Sequence, residues 1–284
     1  MFDLFAAAPK DYRRERLQEY DRFLQERDGE LDMKAWTLSK REAQMRRYET
    51  PPSSTREMDE GAFRDFYARF DPHDLPSKEV LLLLALVKVN AAEAYGVSQG
   101  VQRAYQRAVK DGDISELRLM CEEGYHTRLL LSAANLYGIE VNEPYRPPSA
   151  LRVLIGGITY LPPGMARPLG LAGEIVGTLM FIKLLEVARE VLKDAPEVRD
   201  AIEERLLDIC IDERGHISYN RMVMGAAGLA ETRMLLPMVA RSLRSVLPEV
   251  VALGAYPTRL WEDLPLITDP RRTPEVIRDQ SFVA

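Results

Sequence analysis

The feature that most narrows the choice of fold is a charge in the wrong place, four times over. Leu82, Leu86, Val89, Glu93 and Val97 recur at helical spacing, so a glutamate interrupts a stripe that should face a core. A second stretch reads Leu119, Glu123, His126, Leu130 and Ala133, and a third Leu171, Glu174, Thr178, Phe181 and Leu185. A fourth reads Leu206, Ile209, Glu213 and His216. A carboxylate on such a face is costly unless it is paired or bound to metal. A fold for this chain must therefore gather four amphipathic helices around their own acids.

The histidines narrow it further. Only three occur, His73, His126 and His216, and two follow a glutamate by three residues: Glu123-Gly-Tyr-His126 and Glu213-Arg-Gly-His216. With 26 glutamates in 284 positions, two such placements among three histidines arise by chance about one time in forty, so position must decide. Residues at i and i+3 share a helix face, and each motif points a carboxylate and an imidazole the same way. Four carboxylates and two imidazoles suit two divalent cations, which leave the buried cluster neutral. Mixed oxygen and nitrogen ligation favours iron, with manganese as the alternative. One glutamate from each of two helices plus Glu-x-x-His from each of two others is the ligand pattern of di-iron and di-manganese carboxylate bundles. The expected metal ligands are thus Glu93, Glu123, His126, Glu174, Glu213 and His216.

Helix register tests these choices. A turn centred near 195 sets Glu213 opposite position 177, within a turn of Glu174, whereas Glu186 would lie about 13 Å away at 1.5 Å per residue. The first pair fits less well, because a turn at 111–113 sets Glu123 about two turns from Glu93. Glu122 and Asp212 each precede a motif glutamate, from where they can accept the second N–H of the opposing pair's histidine. His73, in Asp-Pro-His-Asp, reads as a surface loop residue, and Cys210 as a buried, inert thiol. Thr178 can bond the carbonyl of Glu174 or face the open side of the metals.

The rest of the chain is read as helical. Residues 9–27 form a charged helix and 33–48 a second short one, before PPSS at 51–54. The first long helix covers 77–110. Asp113 and Glu116 make a capping-box start for the second, 114–137, with Gly138 just past its end. A proline-rich connection, 139–168, leads to helix three at 169–193. Helix four follows at 197–222, then further helix at 230–247 and a tail. The expectation is an all-α, ferritin-like four-helix bundle with one long crossover plus additional N- and C-terminal helices. The whole of 1–284 is taken as one domain, with the metal-binding core at about 77–222, an N-terminal extension at 1–76 and a C-terminal helix and tail at 223–284.

A net charge of −6 without a basic stripe argues against a nucleic-acid partner. The apolar run Val80–Val87 stops at Lys88, too short to span a bilayer. Two cysteines, Cys121 and Cys210, offer neither a disulfide framework nor a thiolate metal site. With no signal-peptide pattern, a cytoplasmic protein is expected, with a homodimer among the allowed assemblies.

The set Glu93, Glu123-x-x-His126, Glu174, Glu213-x-x-His216 resembles the non-haem di-iron carboxylate proteins of the ferritin-like superfamily over about residues 77–222. The stretch EEGYHTRLLLSAANLYG (122–138) is similar to the second metal helix of bacterial ring epoxidases that act on phenylacetyl-CoA. The 30-residue gap from Glu93 to Glu123 is similar to those enzymes and to the multicomponent hydrocarbon monooxygenases, whose active-site threonine Thr178 resembles. The chain departs at Gly215, where an arginine often stands in the Asp-Glu-x-Arg-His form. It departs from the arylamine N-oxygenases at Ile209, where they carry a histidine. The resemblance implies an O2-activating monooxygenase or hydroxylase with two irons, acting on a small organic substrate, with Thr178 assisting oxygen handling. Electrons would come from an external reductase or ferredoxin, since no flavin fingerprint or iron–sulfur cysteine set is present. The alternatives are a ferroxidase or iron-handling protein, and a radical-generating di-metal oxidase. The last needs a tyrosine near the metals, for which Tyr95, Tyr125 and Tyr219 are the candidates.

Overall fold

The computed structural model describes residues 3–49, 56–112, 114–139 and 149–284. The chain is all-α. Helix α1 (Lys10–Asp28) leads through two-residue strands β1 (Leu31–Asp32) and β2 (Thr37–Leu38) into α2 (Ser39–Tyr48) and α3 (Glu60–Ala68). Four long helices follow with a shorter one among them: α4 (Lys78–Asp111), α5 (Ser115–Asn135), α6 (Ser149–Tyr160), α7 (Pro163–Val191) and α8 (Pro196–Val223). Next come α9 (Ala226–Val246), α10 (Pro248–Leu253), α11 (Leu260–Asp263), α12 (Pro265–Thr268) and α13 (Glu275–Gln280).

Local chemistry sets the ends. Ser77 accepts from the Val80 amide to start α4, and Gly112, at φ 74°, closes it by donating to the Ala108 carbonyl at 3.0 Å. Gly138 takes the left-handed conformation expected just past α5, at φ 67°. Asp113, half of the expected capping box, lies outside the described residues; its partner Glu116 accepts from Arg107 at 2.6 Å.

Helix α4 lies along α5 and α7 along α8, each pair joined by a short link and therefore antiparallel. Contacts of α5 with α8 and of α4 with α7 close these four into a ring. Outside it, α9 packs on α7, α1 and α13 on α8, and α3 and α10 on α4. That last cover explains the run from Leu81 to Leu86, which is buried on every face of its helix rather than on one stripe. Each such leucine contributes about 1.5–3 kcal/mol by leaving water. Among the described helices only α4 is long and apolar enough to cross a membrane by composition, and 67% of its most apolar stretch is already buried inside the protein.

Four sequence readings need correction. Residues 33–38 are not helix but the end of a small antiparallel strand pair and its turn, in which Trp36 has φ 56°. The connection 139–168 is not a plain loop: its apolar part folds as α6, which packs on α4, α7 and α9. Helix three begins at Pro163, not after Pro168, because a proline in the second turn forfeits only one backbone bond while Pro163 starts a helix well. Helix α3, with Asp59 capping the Ala62 amide at 2.9 Å, and the short helices α10–α13 were not anticipated.

Lys88 ends the apolar run without leaving the core. Its ammonium donates to the Tyr67 carbonyl at 2.9 Å and faces Glu249 of α10 at 3.8 Å, both side chains being almost fully buried. Burial pushes the lysine below and the glutamate above their ordinary ranges. Lys88→Ala strands the Glu249 carboxyl and is expected to cost on the order of 3 kcal/mol, seen as a lower urea midpoint. Lys88→Met with Glu249→Leu should restore most of it, and an alanine variant as stable as the parent would show that the pair carries no weight.

Candidate metal centre

Each of α4, α5, α7 and α8 delivers its anomalous glutamate to one interior point. Donor atoms of Glu123, Glu174, Glu213 and His216 all lie within 4.8 Å of one another, and so do those of Glu93, Glu123 and His126. The first pair therefore meets despite the register misfit, so α5 is staggered along α4. Glu186, the rejected alternative on α7, is exposed, and so is His73.

The two imidazoles are fully buried, with ring centroids 5.7 Å apart. Both motif glutamates lie between them. Glu123 reaches Nδ1 of His216 at 3.0 Å with one oxygen and Nδ1 of His126 at 3.3 Å with the other. Glu213 also reaches Nδ1 of His126 at 3.3 Å, and Glu174 reaches Nδ1 of His216 at 3.8 Å. Neither Nδ1 has a satisfying hydrogen bond in this geometry, nor does one oxygen of Glu93. Buried polar atoms rarely go without a partner unless something else binds them. Two unsatisfied nitrogens and one unsatisfied carboxylate oxygen, close to the carboxylates of Glu123, Glu174 and Glu213, fit a pair of hard or borderline cations.

Each ring's other nitrogen is held from the opposite motif. Nε2 of His126 lies 3.2 Å from Asp212 on α8, and Nε2 of His216 lies 3.1 Å from Glu122 on α5. Such contacts fix the ring's rotation and leave Nδ1 free to ligate.

The electrostatics show what the cluster needs. Burial pushes Glu93 up to about 8, with His126 opposing and the charges of Glu123 and Glu174 adding to the push. Glu213 is held well above the carboxylate range by burial and by the Glu174 and Glu123 charges. Glu123 goes the other way, since the closeness of both imidazoles outweighs burial. Both imidazoles lie well above their usual value: burial opposes this, but Asp212, Glu122 and Glu123 outweigh it. Protons and metal ions thus compete for the same atoms.

The outer acids are themselves tied to cations that sequence reading missed. Arg41 of α2, only 3% exposed, donates to Asp212 and, at 2.8 Å, to Asp28, and lies 3.9 Å from Glu122. Arg27 of α1 donates to Asp212 at 2.8 Å. Burial and the Glu122 charge push Asp28 up to about 8, against Arg41. A signal was available: Arg41, Met45 and Tyr48 share one face of α2, and Tyr20, Leu24 and Asp28 one face of α1, each a buried stripe carrying a charge. The structure also accounts for Gly215. A Cβ there would stand 3.4 Å from the buried ring of Tyr20, so a side chain longer than a methyl would have to pass that ring.

Other residues fall away from the centre. Thr178 is buried and donates its hydroxyl to the Glu174 carbonyl at 2.7 Å, while the cavity wall at this level comes from Val176, Gly177 and Phe181. Of the two contacts open to Thr178 in the sequence, this is the bond to the Glu174 carbonyl. The Tyr125 hydroxyl donates to Glu42 at 2.8 Å and accepts from the Leu38 amide, so it serves the contact with α2. Cys210 is buried and free, and burial raises its thiol.

A cavity of about 430 Å³ opens from Glu93, Glu123, Glu174, Glu213 and His216. It runs toward the end of the ring where α4 and α8 finish and α5 and α7 begin. Its walls are apolar (Val97, Leu119, Met180, Phe181), and glycines on α4 and α7 make room for it.

Two outcomes follow. Because protons must leave before a cation binds, metal affinity should rise steeply from about pH 6 to about pH 8, with proton release on loading; a flat profile would contradict the ligand set. Arg41→Ala should weaken metal binding about tenfold or more, measured by chelator competition, because Asp212 and Glu122 lose the cation that orients them. No family model, curated protein or solved structure matches this chain, so its chemistry has to be read from its own side chains.

Proposed function

We propose that this protein is a di-iron, O2-activating oxidoreductase, a monooxygenase or hydroxylase built on a ferritin-like four-helix bundle. The observation that carries this reading is the convergence of four carboxylates and two unsatisfied imidazole nitrogens at the head of a mostly apolar cavity. Antiparallel pairs α4–α5 and α7–α8, with a long crossover through α6, support the bundle assignment.

Glu93, Glu123 and His126 would hold one ion, and Glu174, Glu213 and His216 the other. Glu123 and Glu213, lying between the rings, are the bridging candidates. Iron held by these residues would supply redox chemistry for activating O2 toward an organic substrate. The protein's own part is threefold. Asp212 and Glu122 set the imidazole rotations, Arg41 and Arg27 balance those acids, and the apolar walls exclude water and present the substrate. Both cysteines are buried and single, so reducing equivalents would come from a partner reductase or ferredoxin.

The cavity favours an organic substrate over bulk iron handling, which needs no apolar cavity of this size. Anaerobic iron loading followed by O2 tests this. Two irons per chain and a transient visible band are expected, whereas many irons mineralising per chain would favour storage. His126→Ala and Glu213→Ala should each lower metal occupancy, and unchanged occupancy in both would remove the ligand assignment.

A further inference from the structure

The cavity is polar at both ends, for different reasons. At its inner end are the metal-seeking carboxylates; at its outer end stand Arg103 and Arg107 of α4 and Arg167 of α7. Arg107 is neutralised by Glu116 at 2.6 Å. Arg103 and Arg167 have no ion-pair partner among the described residues, yet both are half-buried on the wall of an apolar chamber. A guanidinium drawn partly out of water without a counter-ion is a standing site for a planar anion, which its fork of donors grips in a bidentate manner. Nothing between these arginines and the ligand cluster offers a second charge.

We propose that the substrate is an apolar organic acid whose carboxylate is held by Arg103 and Arg167 while its hydrocarbon body runs inward to the metal centre. This deepens the oxygenase reading and rests on it. Arg167 precedes Glu174 by seven residues and Arg103 follows Glu93 by ten, so the anionic end sits about 10–15 Å from the ligands along the helix axes. A straight medium-length acyl chain covers that span, and a single-ring acid reaches only part of it. The arginines thereby also choose which carbon is presented: one far from the carboxylate, because the head is pinned at the outer end.

Decanoate and decan-1-ol are the probes, titrated calorimetrically into the full-length protein as isolated, with metal content measured on the same samples. Decanoate should bind once per chain and at least tenfold tighter than the alcohol. The Arg103→Gln/Arg167→Gln protein should lose that preference at unchanged metal content, and the corresponding double lysine variant should regain at least threefold. Equal binding of acid and alcohol to the parent, or an unchanged preference in the glutamine variant, would overturn the proposal. So would tight binding of decyl phosphate with none of decanoate, since the head group would then be a phosphate. Binding needs no turnover, so a protein that prefers the acid but takes up no metal would refute the oxygenase reading and not this site.

Discussion

Four carboxylates within a few ångströms of each other repel, and burial makes that repulsion expensive. Everything around Glu93, Glu123, Glu174 and Glu213 can be understood as an answer to this problem. Protons are one answer, and the raised values of Glu93 and Glu213 show the cluster taking it. Cations are the other, and the two unsatisfied Nδ1 atoms show which geometry they would meet. Because the histidine of each motif is steadied by an acid from the other, neither helix pair can be set correctly without its counterpart. The centre is one unit, not two half-sites placed side by side.

The charge on this unit is managed in layers. Inner carboxylates face the histidines, Glu122 and Asp212 stand behind the rings, and Arg27, Arg41 and Asp28 stand behind them. Tyr20 of α1 packs beside Gly215 of α8, on the same side of the centre as Arg27 and Arg41. The cavity then separates this balanced interior from the two guanidinium groups at its far end that have no ion-pair partner among the described residues.

Much of this was legible in the residues. Apolar periodicity places α4, α5 and α8 to within two positions and α7 at all but its first turns, since long stripes dominate any local ambiguity. Glutamates on those stripes mark the centre, because buried charge has so few explanations. What was missed has physical causes too. Helix α6 lies in a stretch punctuated by prolines, where turn signals outweigh a short apolar run. For Thr178 the residues offered two contacts, and the bond to the Glu174 carbonyl is the one present, since a hydroxyl on a helix always has a backbone carbonyl within reach. Arg41 and Asp28 escaped because α1 and α2 are so heavily charged that their narrow buried stripes vanish into the composition. Both obey the rule that marks the glutamates, a charge on an otherwise apolar stripe.

The placement of Arg27, Asp28 and Arg41 has a consequence for what counts as the minimal working unit. All three precede the long helices in the chain, in a region that reads as an appendage. A fragment trimmed to α4–α8 would keep every candidate ligand and still strand Asp212 and Glu122 without counter-charge. Anyone grafting this centre onto a designed scaffold would have to carry over the leading helices as well, or supply their three charges from new positions.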